Sequence, residues 1–410
     1  MEEHNFVQLA RAQLAQETLY CGGLDIHSFG GTGDLASDFS ANMQVYGFQN
    51  GGEIDTESPS FEFYEQLVGM TKRIKPADRK SVAGLMSAIE DYTCLVIRIL
   101  SEECGIRIYK PQFGLYIQFG GLGAFLLEHI YDAIIAQEEQ SDQRHVVILD
   151  CKPGDIATTQ TGYFLGYAGN LNMTWGVNYE PFGFDIINPT PWMGEDVMVL
   201  RDKDEAPSIG FKLLKQGKGL IYVNQTSNPS GPQYQGLKVE VNSETPERWK
   251  RAHGRLKELG VKPTLGMLNA ADAYFLSQEY GLEEGGLSQL GLVVGATYPC
   301  DGTIRRIFPL YNGLHPGFGA QSVGKKITPY QKVILELIPW GIWKGLGGIW
   351  SSSRGTMFPW INKYGGSGKV ENFEADLIAA INRHREEEEA AFNDPKVIDA
   401  GIEYPFRKAV

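Results

Sequence analysis

The segment LDCKPGDIATTQTGY, residues 149–163, places Asp150, Lys152 and Asp155 directly after the apolar run HVVIL. Positions 150 and 152 are two apart, so on an extended strand end both side chains point the same way. An ammonium held between carboxylates stays protonated and positioned, which suits a proton donor beside a developing carbanion. The same D-x-K spacing also describes an ordinary salt bridge at a strand end, and alone it does not separate the two. Three further strand ends carry acids, lysines or hydroxyls. Asp25 closes LYCGGLD, Lys110 closes IRIYK ahead of Pro111 and Gln112, and Thr226–Ser227–Asn228–Pro229 follows LIYVNQ. On a parallel barrel such residues converge on one mouth. Late in the chain, HPGFGAQ (315–321) and SSSRG (351–355) follow the last expected strands. Glycine-rich backbone with an arginine there is where barrels hold phosphate, although a glycine-rich turn by itself often only satisfies loop geometry.

The elements that must position these residues are short β-rich runs separated by helical stretches. The runs are 19–25, 106–110, 145–150, 184–188, 219–225, 291–297, 307–312 and 348–353. VVIL and LVVG are continuously apolar, as expected for parallel strands covered on both faces. AFLLEHIYDAIIAQEEQ (124–140) has apolar residues at helical spacing, and TPERWKRAHGRLKELG (245–260) opens on a threonine cap and closes on glycine. Strand then helix, repeated about eight times, is the pattern of an α/β (β/α)8 TIM barrel, with a doubly wound open sheet as the alternative. Length alone, at about 150 residues per domain, suggests two or three domains. The strand-end residues instead point to one barrel domain over 1–410, with insertions at 26–75 and 322–347 and a C-terminal helix at 371–392. The Gly/Ser/Asp-rich 26–75 stretch shows little periodicity, LELIPWGIWKGLGGIW (335–350) reads as a loop packed on the core, and Glu386–Glu389 reads as a solvated face.

Composition excludes several classes. Thirty-seven basic against 50 acidic residues give a net charge of −13, which argues against nucleic acid or an anionic membrane as partner. A small anionic substrate remains compatible, because local Lys and Arg can capture it. The five cysteines (21, 94, 104, 151, 300) contain no C-x-x-C, so neither a disulfide framework nor a zinc ribbon fits and a reducing, cytoplasmic setting is expected. No signal peptide and no apolar run of about 18 residues are visible. The seven histidines form no H-x-x-x-H or H-E-x-x-H pair, so no metal site is expected. FGGTGD (29–34) lacks the G-K-[ST] ending of a phosphate loop.

Taken together, LDIH, YKPQ, LDCKPGDIATT, INP, QTSNP, GLVVGATYP, HPGFGAQ and SSSRG resemble the orotidine 5′-monophosphate (OMP) decarboxylases, in particular their longer bacterial-type branch. The resemblance runs from residue 19 to about 360 and leaves the two insertions and the tail uncovered. It implies cofactor-independent conversion of OMP to UMP and carbon dioxide in pyrimidine biosynthesis. It implies a Lys110–Asp150–Lys152–Asp155 network, in which Lys152 protonates C6 and Asp150 lies beside the departing carboxylate. Asp25 and Lys110 would bind ribose hydroxyls, Ser227 the pyrimidine, and Gln321 and Arg354 the 5′-phosphate, with Pro316 near the base. Asp155 and Thr159 would reach into a neighbouring subunit's site, implying a homodimer. Two departures stand out: Pro153, at a position facing away from the network, and Ser322–Val323–Gly324–Lys325–Lys326 in place of a small glycine pair. The rivals are a magnesium-dependent sugar-phosphate lyase or decarboxylase on a related barrel, and a catalytically silent nucleotide-binding barrel. A fused phosphoribosyltransferase is disfavoured, since no acidic pyrophosphate-binding motif is present.

Overall fold

The computed structural model describes residues 3–29, 38–173, 176–194, 208–296, 301–318 and 328–406. Eight parallel strands form a closed barrel: β1 (Tyr20–Gly23), β2 (Ile108–Lys110), β3 (Val146–Leu149), β4 (Ile186–Ile187), β5 (Gly219–Gln225), β6 (Leu290–Val294), β7 (Asn312–Phe318) and β8 (Gly348–Ser352). Neighbours follow chain order, and β8 closes onto β1. Helices separate the strands, so the architecture is the (β/α)8 barrel rather than the open sheet. No helix among the described residues is long and apolar enough to cross a membrane.

The chain divides into two compact units, one comprising residues 1–21, 146–352 and 383–410, the other 22–145 and 353–382. In the first, all residues of β3 and β6 are buried, as expected of apolar strands covered on both faces. β5 and β6 run in register from Leu220↔Leu290 to Val223↔Val293, after which the register shifts at Val294. Helix α1 (Asn5–Gln16) also belongs to this unit, and its Gln13 donates to the Gly348 carbonyl at 2.7 Å.

In the second unit, α2 (Phe39–Tyr46), α3 (Pro59–Met70), α4 (Arg79–Glu102) and α5 (Gly121–Ser141) pack together. The expected helix at 124–140 is α5, longer by three residues at its start. The 26–75 stretch holds more order than its composition suggests. Phe61, Tyr64 and Val68 are buried along α3 at helical spacing, and the Ser58 and Ser60 hydroxyls donate to Asp91 of α4 at 2.9 and 2.8 Å.

Several expectations need correction. The run 307–312 is not a strand: Thr303–Ile307 is a short helix and β7 begins at Asn312. β7 therefore runs through His315, Pro316 and Gly317 themselves, because the barrel ladder overrides their weak strand preference. The helix Glu247–Glu258 starts after Pro246, which makes no side-chain cap. Thr245 instead donates to Asn242 at 3.2 Å. The acidic run at the C-terminus is not uniformly solvated. In the helix Phe373–Phe392, Glu388 is buried, accepting from the Thr18 hydroxyl at 2.6 Å and the Leu19 N–H at 3.1 Å. That burial pushes its carboxyl up to about 8.

The Trp-rich segment is mostly core, as expected. Trp343, Leu337, Ile338 and Leu346 join a cluster with Trp350, Phe318 and Tyr330, in which the Phe318 and Trp350 rings stack 5.3 Å apart. Trp340 and Ile342 at its tip are exposed.

Candidate active site

Asp150 and Lys152 follow β3 and form an ion pair. Lys152 sits in the left-handed region at φ +49°, a conformation that costs a non-glycine residue about 1–2 kcal/mol. Asn188, just after β4 and fully buried, holds this turn. Its carbonyl oxygen accepts the Cys151 and Lys152 N–H groups at 2.8 and 3.1 Å, and its amide donates to Asp150 Oδ1 at 2.7 Å. The Thr190 N–H donates to the Pro153 carbonyl at 2.7 Å and its hydroxyl to the Lys152 carbonyl at 3.2 Å. One carboxylate oxygen thus takes both the ammonium and an amide, and the strained turn is fixed by hydrogen bonds to Asn188 and Thr190. Burial pushes the intervening Cys151 thiol up to about 12, so it is a neutral spacer at pH 7.

Asp155 lies three residues on, at the start of α6 (Ala157–Ala168), where its Oδ1 accepts from the Ile156 N–H at 2.8 Å. Thr159 is exposed on the first turn of the same helix. Ser227 follows β5 and is packed by Gly295 after β6. A Cβ on Gly295 would come within 2.7 Å of the Ser227 nitrogen, which explains a glycine there. Pro316 is half-buried in β7, with its carbonyl accepting from the Ala296 N–H at 3.2 Å. A cavity of about 900 Å3 opens beside Thr226 and Asn228, walled by Trp192, Tyr234 and Trp249. Its lining does not include Asp150 or Lys152.

The other unit carries a second cluster. Lys110 ends β2 and is almost wholly buried, with its Nζ 3.6 Å from Asp25 Oδ1. Asp25 is held by its backbone neighbour: the Leu24 N–H donates to the Lys110 carbonyl at 3.1 Å, and the Tyr116 hydroxyl donates to the Leu24 carbonyl at 2.7 Å. Asp25 Oδ1 is buried and makes no hydrogen bond among the described residues. His27 stands beside them. Its basicity is lowered by burial foremost and by the Arg354 and Lys110 charges, against the pull of Asp25. Arg354 is exposed at the turn after β8. Gln321, Lys325 and Lys326, together with Thr297–Cys300, lie outside the described residues.

The structure therefore joins Asp150 with Lys152 and Asp25 with Lys110, and the Arg354 charge acts on His27. Two residues were not singled out from the sequence, Asn188 in INP and His27 in LDIH. Their signal was present in those motifs, but neither side chain is assignable to a partner before the loops are folded. Among the described residues no group of three or more His, Cys, Asp or Glu side chains is arranged to hold a metal ion.

No family model matches the chain. An orotidine 5′-phosphate decarboxylase from Paracidovorax citrulli is 31% identical over 273 residues, covering 63% of this chain and 80% of the relative. The chain belongs to the orotidine 5′-phosphate decarboxylase family. Proteins of the same name from Variovorax paradoxus and Thermomicrobium roseum are each 29% identical, over 53% and 52% of this chain. These alignments span 64% and 57% of the two relatives, less than two thirds of their length. The fold agrees with the orotidine 5′-monophosphate decarboxylase structure of Plasmodium berghei, at a TM-score of 0.56 and 15% identity over 96% of this chain and all of that one. The OMP decarboxylase of Leishmania donovani gives 0.51 and 18% over 95% and 98%. Neither the sugar-phosphate rival nor the silent-barrel reading finds support among these relatives.

Proposed function

We propose that the protein decarboxylates orotidine 5′-monophosphate to UMP without a cofactor. The C6–carboxylate bond breaks, carbon dioxide leaves, the electron pair stays on C6, and Lys152 Nζ delivers the proton. The observation that carries this reading is the Asp150–Lys152 ion pair on a strained turn clamped by Asn188. An ammonium fixed against a carboxylate stays charged, and its position is set before substrate arrives. Asp150 places negative charge beside the substrate carboxylate, which disfavours the ground state relative to the neutral departing gas.

Lys110 and Asp155 complete an alternating network, Asp25 and Lys110 take the ribose hydroxyls, Ser227 and Pro316 meet the base, and Gln321 and Arg354 hold the phosphate. Remote phosphate and ribose contacts then supply binding energy that is realised at C6. Asp155 and Thr159 serve the active site of a second copy in a cytoplasmic homodimer. Supporting this, Ile156 and Tyr163 are exposed large apolar side chains in the segment that bears them. The test monitors the loss of OMP absorbance, with and without chelator, for wild type and Lys152→Ala. Chelator-independent turnover that disappears in the variant is expected; wild-type-like turnover in Lys152→Ala overturns the reading. Mixing Lys152→Ala with Asp155→Ala protein should restore part of the activity if the sites are shared, and none if each chain is self-contained.

A further inference from the structure

Three features of His27 set it apart from a residue that merely fills space. Its backbone is locked from both sides by one side chain: the His27 N–H donates to the Tyr46 hydroxyl at 2.9 Å, and that hydroxyl donates back to the His27 carbonyl at 2.9 Å. Its ring meets Phe358 edge-on with centroids 6.1 Å apart, which fixes the imidazole against the segment that begins at Arg354. Its Nε2 is shielded from solvent and has no hydrogen-bond partner among the described residues. A rigidly held polar atom that is buried without a hydrogen bond is costly, and a bound ligand is one way to satisfy it. The groups around it say what that is. The charges whose fields act on the imidazole are Asp25 of its own segment, Arg354 from the turn after β8 and Lys110 from β2, with the Tyr46 hydroxyl of α2 at its backbone.

We propose that His27 is a phosphate-binding residue, its Nε2 donating to the nucleotide's 5′-phosphate beside Arg354. This deepens the decarboxylase reading and rests on its assignment of Arg354 to the phosphate. In the free protein, burial and the two cations keep the imidazole neutral at pH 7. A phosphate dianion brought against Arg354 reverses the sign of the local field and favours the imidazolium. Nucleotide binding is then coupled to proton uptake at His27, and a charge-assisted hydrogen bond replaces the orphaned nitrogen.

The test compares wild type, His27→Gln and His27→Ala, with thermal melts showing that each variant folds. UMP and uridine binding are measured by calorimetry near pH 6.5 in two buffers of different ionisation enthalpy. Both substitutions should weaken UMP by about 10- to 100-fold, leave uridine within about threefold, and remove one increment of proton uptake that wild type shows with UMP alone. Equal losses for UMP and uridine, or identical proton uptake in wild type and variants, overturn the proposal. Because the readout is binding, it stays separate from turnover. A wild type that binds UMP with this proton linkage yet fails to decarboxylate OMP would sink the proposed reaction and leave the His27 assignment standing.

Discussion

Two clusters of charge, one in each unit, are built on opposite principles. After β3, Asp150 and Lys152 are held by partners within the protein: Asp150 Oδ1 takes the ammonium and the Asn188 amide, and Asn188 accepts the Cys151 and Lys152 N–H groups. After β1 and β2, two polar atoms beside the almost wholly buried Lys110 lack hydrogen-bond partners among the described residues. Lys110 meets Asp25 at 3.6 Å, Asp25 Oδ1 accepts no hydrogen bond among the described residues, and His27 Nε2 has no partner there. Such anchoring suits a group that must hold one position while a bond breaks, since preorganised charge needs no rearrangement during reaction. Unmet hydrogen-bonding capacity suits a group that waits for a ligand, whose hydroxyls or phosphate recover the desolvation cost already incurred. Under the proposed function, the first cluster would carry the proton transfer and the second chiefly the binding of the ribose and phosphate.

That contrast can be broken most directly at Lys152. Lys152→Ala should lower kcat by about 10⁴-fold or more while leaving UMP affinity within a few-fold, as seen by stopped assays and calorimetry on one preparation. A large loss of affinity with modest loss of kcat would move Lys152 into the binding class. Asn188→Ala comes next. Two N–H groups and a buried carboxylate oxygen lose their partner, so about 2–4 kcal/mol of stability should go and kcat should fall about 100-fold. Denaturant melts and initial rates measure the two, and an unchanged kcat would mean that the clamp is only architectural.

Asp25→Asn should raise KM about 10- to 100-fold with kcat changed less than fivefold, measured by progress curves at saturating OMP. A kcat effect equal to that of Lys152→Ala would erase the distinction between the clusters. The smallest effect is on acid stability. His315, fully buried in β7, has its Nδ1 2.9 Å from the Val294 carbonyl and its basicity lowered to about 4. The unfolded chain binds a proton near 6.5 that the folded chain refuses, so stability is full above 6.5 and falls with pH toward 4. Urea melts should lose about 1–3 kcal/mol across that window, and a flat profile would contradict the buried neutral form.

Much of the barrel is legible in the chain because its strands announce themselves by local chemistry. VVIL and LGLVV are apolar on both faces, and that pattern means a covered strand wherever it lies. β7 was hidden because its sequence, NGLHPGF, is a poor strand by any local measure and is extended only by pairing with β6 and β8. Glu388 was hidden for the converse reason. Its neighbours Glu386, Glu387 and Glu389 are solvated as expected, and only the approach of Thr18 and Leu19, some 370 positions away, turns one carboxylate of four inward. At the site, Asp25, Lys110, Asp150 and Lys152 are readable as strand-end charges.

By itself the sequence determined which groups would stand at the mouth, because strand periodicity fixes where each run ends and hence which residues come next. It also determined the family, through eight short motifs in order. Only the tertiary structure decided which of those groups are satisfied and which are left open. Asn188 and Asp150 are 38 positions apart, and Tyr46 and His27 are 19. Hydrogen bonds between such positions depend on loop closure and burial, which no local pattern of residues encodes.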